Sequence, residues 1–342
     1  MPDILSPSLR CALANYAAAR KADADPSPAI DAFVTATATQ APGSVASAEG
    51  PIAAEAQLWP RIVKAGWFSR RVLGHKEDAE LLKTLPDAAY LFLFHKNGYL
   101  RQAALERVAG PVPTPFLAAT LAWRRNDWVR QVRQSAEAAI ARCLPMTPAE
   151  VLAPFYLETT RVRSTWQRWH DRNVLTLDAH AGRPDVAAQI ARELAERLTG
   201  PLPSWARKLT RLVAFDGYLE MLAREARVPG VRAVAVEALA SNRVAWEEGF
   251  ETYWISKPDG IRGRRPLIRQ RALTVTCDSE TVLRLGLADR SAEVRRAALR
   301  AIIATRLGDA ALSEWVKPLV TDPSPSVRAK AGFILERAVA GS

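Results

Sequence analysis

Cysteine and histidine are scarce in this chain of 342 residues, which contains three cysteines and four histidines. Cys11, Cys143 and Cys277 are odd in number and lie far apart along the sequence. Disulfide-stabilised small domains and zinc clusters both need closely spaced pairs of such residues, so the sequence argues against both classes. The isolated cysteines predict a reducing, cytoplasmic environment, and no cofactor is expected.

Long apolar segments are also missing. Charged side chains interrupt every apolar stretch before it reaches the roughly 18 residues that a membrane-spanning helix needs. The first seven residues contain an acid and two prolines, where a secretion signal has a basic start and an unbroken apolar run. We therefore expect a cytoplasmic protein without a membrane partner.

The motifs of common enzyme classes are absent as well. The sequence has no GxxxxGK[ST] phosphate-binding loop, no GxGxxG, no GxSxG and no HExxH. His170, Asp171, Asp178 and His180 do not have the spacing of an established metal site. Asp127 lies beside an aromatic residue, but its place in the repeat described below predicts a capping role. We therefore expect a non-enzymatic protein, although the sequence does not exclude an enzymatic activity.

Acidic residues are outnumbered, because 47 lysines and arginines against 36 aspartates and glutamates give a net charge of +11. The first 60 residues hold three basic and six acidic side chains, so the excess belongs to the rest of the chain. A basic body favours association with an acidic or polyanionic partner, but it does not specify a fold.

Helical periodicity dominates from Leu58 onward, and strand signals are few. The apolar run 88–94 follows Pro86 and predicts a buried helix. Residues of helical composition follow Asn97-Gly98, and Thr274–Cys277 is the best candidate for a short strand. Prolines cluster between the periodic segments and separate the predicted helices. The expected fold class is all-α.

The N-terminal region has a different composition. Residues 8–20 predict one short helix that Ser8 caps. Residues 22–56 are rich in Ala, Pro, Ser and Thr and have few large apolar side chains, which predicts a loosely packed linker. We therefore expect an N-terminal helix plus linker at 1–57 and a helical domain at 58–342.

An internal repeat is the strongest signal in the sequence. Asp127, Asp289 and Asp322 are each followed, at identical offsets, by a Val-Arg pair, an alanine and an apolar pair. The apolar positions share one helical face, and the acid opens the turn before the helix and can cap the exposed N–H groups of that helix. The arginine can brace a neighbouring turn or acid. The full and partial copies place their arginines at Arg101, Arg133, Arg232, Arg269, Arg295 and Arg328.

The pattern Asp-x4-Val-Arg-x2-Ala-x2-Ala-Leu resembles the second-helix signature of HEAT repeats, and its period is similar to that of the short variety named after phycobilisome lyases. The resemblance covers residues 90–142 and 228–340. It implies an α-solenoid of stacked antiparallel HEAT-like helix pairs with a concave face. Most such arrays serve as binding scaffolds, and a minority are enzymes or bind nucleic acid.

The segment 161–172 departs from the repeat, because tryptophans stand where small alanines are expected. One interpretation is a basic, aromatic helix surface that binds phosphates and stacks on bases. The other is a degenerate repeat, with Trp166 and Trp169 both in the core and the arginines on a solvated face. The candidate binding residues in this segment are Arg161, Arg168, Arg172 and Trp169.

A second departure covers residues 243–271, with a loop predicted at 256–266. Residues 261–271 contain five arginines and no acid. Insertions in solenoids often carry the binding face, and the planar guanidinium suits phosphates and carboxylates alike. A solvated loop without a role is the competing interpretation. The candidate binding residues here are Trp254, Lys257, Arg262, Arg264, Arg265 and Arg269.

Three functions are compatible with these features. The favoured one is a scaffold or adaptor that binds a protein partner through the concave face and the arginine-rich loop. The second is a nucleic-acid-binding protein, whose binding would weaken steeply with salt. The third is an enzyme resembling the HEAT-like alkylpurine DNA glycosylases, whose paired-Trp-then-Asp motif is echoed by Trp166, Trp169 and Asp171. The sequence does not predict an oligomeric state.

Overall fold

The computed structural model describes residues 4–59, 62–65, 69–72, 74–168, 171–305 and 312–340. Side chains are described in these ranges except at 62–65, 69–72, 74–76, 171–173, 175 and 339–340. Helices account for 68% of the chain, so its mostly helical character is confirmed. The chain divides into two units, Met1–Gln189 and Ile190–Ser342.

The first unit is a set of short helices with one small hairpin. Strands β1 and β2 pair antiparallel. Helix α6 packs against α8, and α7 packs against α8 and α9. The elements are α1 (Pro7–Lys21), α2 (Ser27–Ala36), α3 (Val45–Glu55), β1 (Ile62–Ala65), β2 (Ser69–Val72), α4 (Gly74–Thr84), α5 (Ala88–Phe92), α6 (Gly98–Arg107), α7 (Pro115–Arg124), α8 (Arg130–Cys143), α9 (Ala149–Val162) and α10 (Asp171–Ala181).

The boundary between the units falls within α11 (Pro184–Glu196). In the second unit α14 packs against α13 and α16, and α16 packs against α18. The elements are α12 (Leu202–Leu209), α13 (Leu219–Glu225), α14 (Pro229–Ala240), β3 (Arg243–Ser256), β4 (Ile261–Ala272), α15 (Ser279–Leu287), α16 (Ala292–Thr305), α17 (Ser313–Val316) and α18 (Pro325–Ala340). None of the helices in the described ranges has the length and apolar content needed to cross a bilayer.

The predicted linker is wrong. Residues 22–56 contain α2 and α3, and Phe33, Val45 and Ile52 are fully buried. Small alanine and serine side chains allow these short helices to pack closely against α1 and α7, so a few large apolar groups suffice to order them. The helix before them begins at Pro7 rather than Ser8, and its cap is Ser6, whose Oγ accepts a hydrogen bond from the Leu9 N–H.

Other local predictions divide between right and wrong. The helix expected after Pro86 is confirmed, because every residue of α5 is buried. Asn97 caps α6, as its helical surroundings suggest. The strand expected at Thr274–Cys277 is wrong, since that stretch is irregular. The chain instead forms its long strands at β3 and β4, where a loop had been predicted at 256–266.

The bracing role of the repeat arginines is confirmed. In three places the guanidinium of one repeat donates two hydrogen bonds, through Nε and Nη2, to the aspartate of the next repeat. The six distances lie between 2.7 and 3.0 Å. Each such aspartate also accepts the N–H of the residue two positions later, which lies just before the first helical residue. The predicted capping of the helix N–H groups is therefore wrong, because the aspartate closes the turn that leads into the helix. The three pairs are Arg101–Asp127, Arg232–Asp289 and Arg295–Asp322.

The same arginines also close their own turns. In five copies the Nη1 group donates to the backbone carbonyl six residues earlier, with Nη1···O distances of 2.8 Å. These donors are Arg101, Arg133, Arg232, Arg295 and Arg328. Arg269 is the exception, because it lies on β4 and belongs to no repeat helix.

Candidate functional site

The long hairpin of β3 and β4 contains most of the predicted binding residues. Its turn is Lys257-Pro-Asp-Gly260, in which the proline ring fixes the backbone angle φ of the first central residue. Gly260 has a φ of 68°, a backbone conformation that residues with a side chain rarely adopt. The Ser256 hydroxyl donates to Asp259 and tightens the turn. Aromatic and β-branched residues at 250–255 suit the pleated strand before it. These local preferences produce a hairpin rather than a loop.

The strand register puts the arginines on two opposite faces. Trp254 pairs across the strands with Arg262, and Thr252 pairs with Arg264. A bulge at Glu248 shifts the register nearer the root. Because side chains alternate between faces, the even-numbered residues of β4 lie on one side and the odd-numbered residues on the other. We call the first side the open face; it consists of Glu247, Phe250, Thr252, Trp254, Arg262, Arg264, Pro266 and Ile268.

Arginines on the open face stack on aromatic rings. The Arg262 guanidinium carbon lies 4.1 Å from the centre of the Trp254 ring, and that of Arg264 lies 5.0 Å from the Phe250 ring. Both rings are exposed, Trp254 by 44% and Phe250 by 57%. Across the described ranges, neither guanidinium has a carboxylate or hydrogen-bond partner. The open face therefore presents cationic N–H groups on fixed aromatic supports.

The odd-numbered side of β4 is different, because its arginines are already paired; we call it the paired face. Arg265 Nε lies 2.5 Å from Glu251, and Arg269 Nε lies 2.5 Å from Glu248. The Tyr253 ring covers Gly263 so closely that a Cβ there would lie 2.7 Å from the ring. The charge of this side is therefore largely neutralised within the hairpin.

The root of the hairpin is firmly anchored. Arg271 donates to both carboxylate oxygens of Asp216 and to the Thr210 carbonyl. Burial alone would raise the pKa of Asp216, but the bonds from Arg271 and Thr274 hold it below its usual value. Val244 is buried beside this contact, and Trp246 lies under the Arg211 guanidinium. Beyond the root both faces are mainly exposed, so the hairpin forms a projecting arm.

The segment 161–172 is not the continuous helix predicted. Helix α9 ends at Val162, a 3-10 turn follows, and the next helix begins at Asp171. The prediction that the arginines share one side of a single helix is therefore wrong. Arg161 and Arg168 are exposed and Trp166 is buried, edge-on to Trp123 with ring centres 5.2 Å apart. Trp169 and His170 lie outside the described residues, as does the Arg172 side chain.

Arg168 lines a cavity of about 390 Å³ together with Asp127 and Trp128. A buried charge cluster forms one wall: Arg124 bridges Asp127 and Glu49, each at a donor–acceptor distance of 2.6–2.8 Å. Burial alone would raise the pKa of both acids, but the arginines hold it below the usual value, so both carboxylates are ionised at pH 7. These contacts tie α3 and α6 to the end of α7 and the turn that follows it, which is a structural role.

Asp178, one of the acids considered for a metal site, is occupied in a different way. It accepts hydrogen bonds from the Tyr156 hydroxyl at 2.5 Å and from Arg163 at 3.4 Å. The burial of the His180 ring lowers its pKa, and the positive charge of Arg183 lowers it further. Among the described residues, no group of three His, Cys, Asp or Glu side chains has the arrangement of a metal site.

Glu49 and the division of the arginines were missed in the sequence. Glu49 lies in the stretch taken for a linker, so nothing indicated a buried partner for Arg124. The Pro258-Asp259-Gly260 turn between two aromatic or β-branched stretches was the signal for the hairpin. Comparison of the chain with protein-family models, curated proteins and solved structures finds no match.

Proposed function

We propose that this chain is a non-enzymatic adaptor that binds an acidic protein partner through the open face of the hairpin. The observation that carries the proposal is the stacking of Arg262 and Arg264 on exposed aromatic rings, with no acid paired to either. Tryptophan, tyrosine and arginine contribute most of the binding energy at protein interfaces. A guanidinium that is stacked keeps its N–H edge available for carboxylates.

The apolar content of the arm supports a protein partner. Fifteen large hydrophobic side chains are exposed in the described residues, and six of them belong to this one hairpin. Such concentration on a projecting element marks an interaction surface. The aliphatic members, Ile255, Ile261 and Ile268, suit a protein surface better than a phosphate backbone.

We further propose that the repeated helix pairs stack as a HEAT-like α-solenoid, with a concave face that adds to the binding surface. The support is the regular Arg–Asp contact between successive repeats, together with the carbonyl contact that recurs in five copies. Stacked repeats bury apolar faces that a single helix pair leaves open.

The two faces of the arm allow a matched test. The double variant Arg262→Ala/Arg264→Ala is expected to weaken partner binding by at least about tenfold, because it removes both stacked cations. Arg265→Ala/Arg269→Ala removes the same charge from the same strand, β4, but these arginines are already paired with glutamates, so a change below about threefold is expected.

The partner for this test is first identified with a photo-crosslinking residue at Thr252, on the open face. Calorimetry with the purified partner then gives the affinity of each variant. Equal losses for the two double variants would mean that general charge, and not the open face, governs binding. Unchanged affinity in both would remove the arm from the interface.

Nucleic acid is a second candidate, because stacked arginines with unoccupied N–H groups also suit phosphates and bases. Binding of single- or double-stranded oligonucleotides is then expected at about 50 mM salt, with a steep loss at about 200 mM. The double variant Arg262→Ala/Arg264→Ala would reduce the salt slope as well as the affinity. No binding at the lower salt concentration would remove this candidate and the glycosylase-like hypothesis with it.

A further inference from the structure

A pocket of about 200 Å³ lies at the root of the arm, within the second unit. Helices α12, α14 and α16 and the first residues of β3 form its walls. Arg207, Arg243 and Arg300 line it, together with Glu237 as the single acid among its lining residues. Alanines 238, 301 and 304 keep its floor open.

Two of the three arginines have unused hydrogen-bonding groups. Arg300 donates to both oxygens of Glu237 and is therefore partly satisfied. In the part of the chain that the structure describes, the guanidiniums of Arg207 and Arg243 have neither an ion pair nor a hydrogen-bond partner. The lining thus combines three positive charges with one negative charge, and its guanidinium donors belong to three separate elements, α12, β3 and α16.

This balance of +2 matches a doubly charged oxyanion. A phosphate monoester carries about −1.5 to −2 charges at pH 7 and has three strong acceptor oxygens. A nucleic-acid phosphodiester carries one charge, and a carboxylate offers one charge and two oxygens. We propose that this pocket binds the phosphate dianion of a phosphorylated side chain in the protein partner.

The pocket lies at the root of the hairpin, and one of its arginines is on the same side as the open face. Arg243 is the first residue of β3 and pairs with Ala272, so strand alternation puts it on the same side as Arg262 and Arg264. A partner segment lying along the open face would therefore reach the pocket at the root. The source of the phosphate rests on the proposed function, whereas the pocket's affinity for phosphate itself does not.

Inorganic phosphate is the first probe, used with the full-length chain in calorimetry at constant ionic strength. Saturable binding is expected, weakened at least about tenfold by Arg243→Ala. Glu237→Gln is expected to bind phosphate at least about threefold more tightly, because it removes the negative charge of an acid that lines the pocket and releases Arg300. A tightening variant cannot be explained by misfolding.

The controls separate the pocket from the arm. Arg262→Ala/Arg264→Ala leaves all pocket residues in place, so its phosphate affinity should equal that of the wild type. Absence of phosphate binding up to about 10 mM overturns the site, a range that still covers weak millimolar affinity. Equal affinity in the wild type and Arg243→Ala does so too, as does an unchanged Glu237→Gln variant.

Phosphopeptides then test the class of partner. A phosphoserine peptide rich in acidic residues should bind more tightly than its unphosphorylated form, and Arg243→Ala should abolish that difference. Tighter binding of an oligonucleotide without terminal phosphates would overturn the assignment to a phosphomonoester. If inorganic phosphate binds while the open-face variants do not affect any partner, the pocket stands and the proposed function fails.

Discussion

Asp127→Ala is expected to lower the free energy of unfolding by about 3–5 kcal/mol, the range for breaking a buried ion pair from one side. The Asp127 side chain is 1% exposed and accepts hydrogen bonds from Arg101, Arg124 and the Val129 N–H. Its removal takes from Arg101 the carboxylate with which it forms an ion pair, and it leaves Arg124 paired with Glu49. Both guanidiniums are buried, so losing the carboxylate leaves positive charge without compensation at a poorly solvated site.

Chemical denaturation followed by circular dichroism measures this loss. Asp185→Ala is the matched control, because Asp185 also pairs with an arginine, Arg183, but its side chain is 53% exposed. Exposed pairs contribute about 0–1 kcal/mol, so the control should change the free energy of unfolding little. Similar values for the two variants would mean that the buried cluster adds no more than a surface pair.

The stabilisation that Asp127 provides is also expected to depend on pH. The contacts with Arg101, Val129 and Arg124 outweigh burial and hold the pKa of Asp127 below its usual value in the folded chain. A carboxyl group with a lowered folded pKa stabilises fully above its unfolded pKa, near 4 for aspartate. That stabilisation disappears as the pH falls through the folded pKa. The gap between the wild type and Asp127→Ala should therefore be full at pH 7 and should narrow below about pH 4.

The arginine contacts could be predicted from sequence because both partners belong to one recurring pattern. Fixed offsets from Asp127, Asp289 and Asp322 fix where each arginine lies on its helix, and the aspartate of a following copy is the partner that it contacts. Arg232 shows the limit of this approach. Its partner Asp289 lies 57 residues away, because the hairpin and α15 intervene, so the pair follows from the pattern but not from the period.

The arm was only half predictable. Its arginines stood out in the sequence as candidates, but the alternation of arginines with Gly263, Pro266 and Gln270 hid the strand. Which of them are unpaired depends on cross-strand register, set by the turn at Pro258–Gly260 and the bulge at Glu248. Those contacts join residues up to about thirty positions apart, and composition alone does not contain them. Glu49 was missed for a related reason, since an alanine-rich helix resembles a linker by composition.

Ala298→Arg is expected to be the most damaging single change in the second unit, with a loss above about 4 kcal/mol. Ala298 lies on α16 and is fully buried. At Gly286 of α15, a Cβ would lie 3.0 Å from the Ala298 Cβ and 2.6 Å from Val236 on α14. Three helices therefore meet at this point without room for a longer side chain. An arginine would have to separate them and would bring an unpaired charge into the core.

Ala329→Arg makes the same replacement at an exposed position of α18, another helix of the repeat, and it should change the free energy of unfolding by no more than about 0.5 kcal/mol. Urea denaturation of both variants isolates the effect of burial from that of helix propensity and added charge. A stable Ala298→Arg chain would show that α16 presents another face to its neighbours. Since the repeat pattern places Ala136 and Ala331 at the equivalent position, and both are fully buried, that result would contradict the predicted helix face in all three repeats.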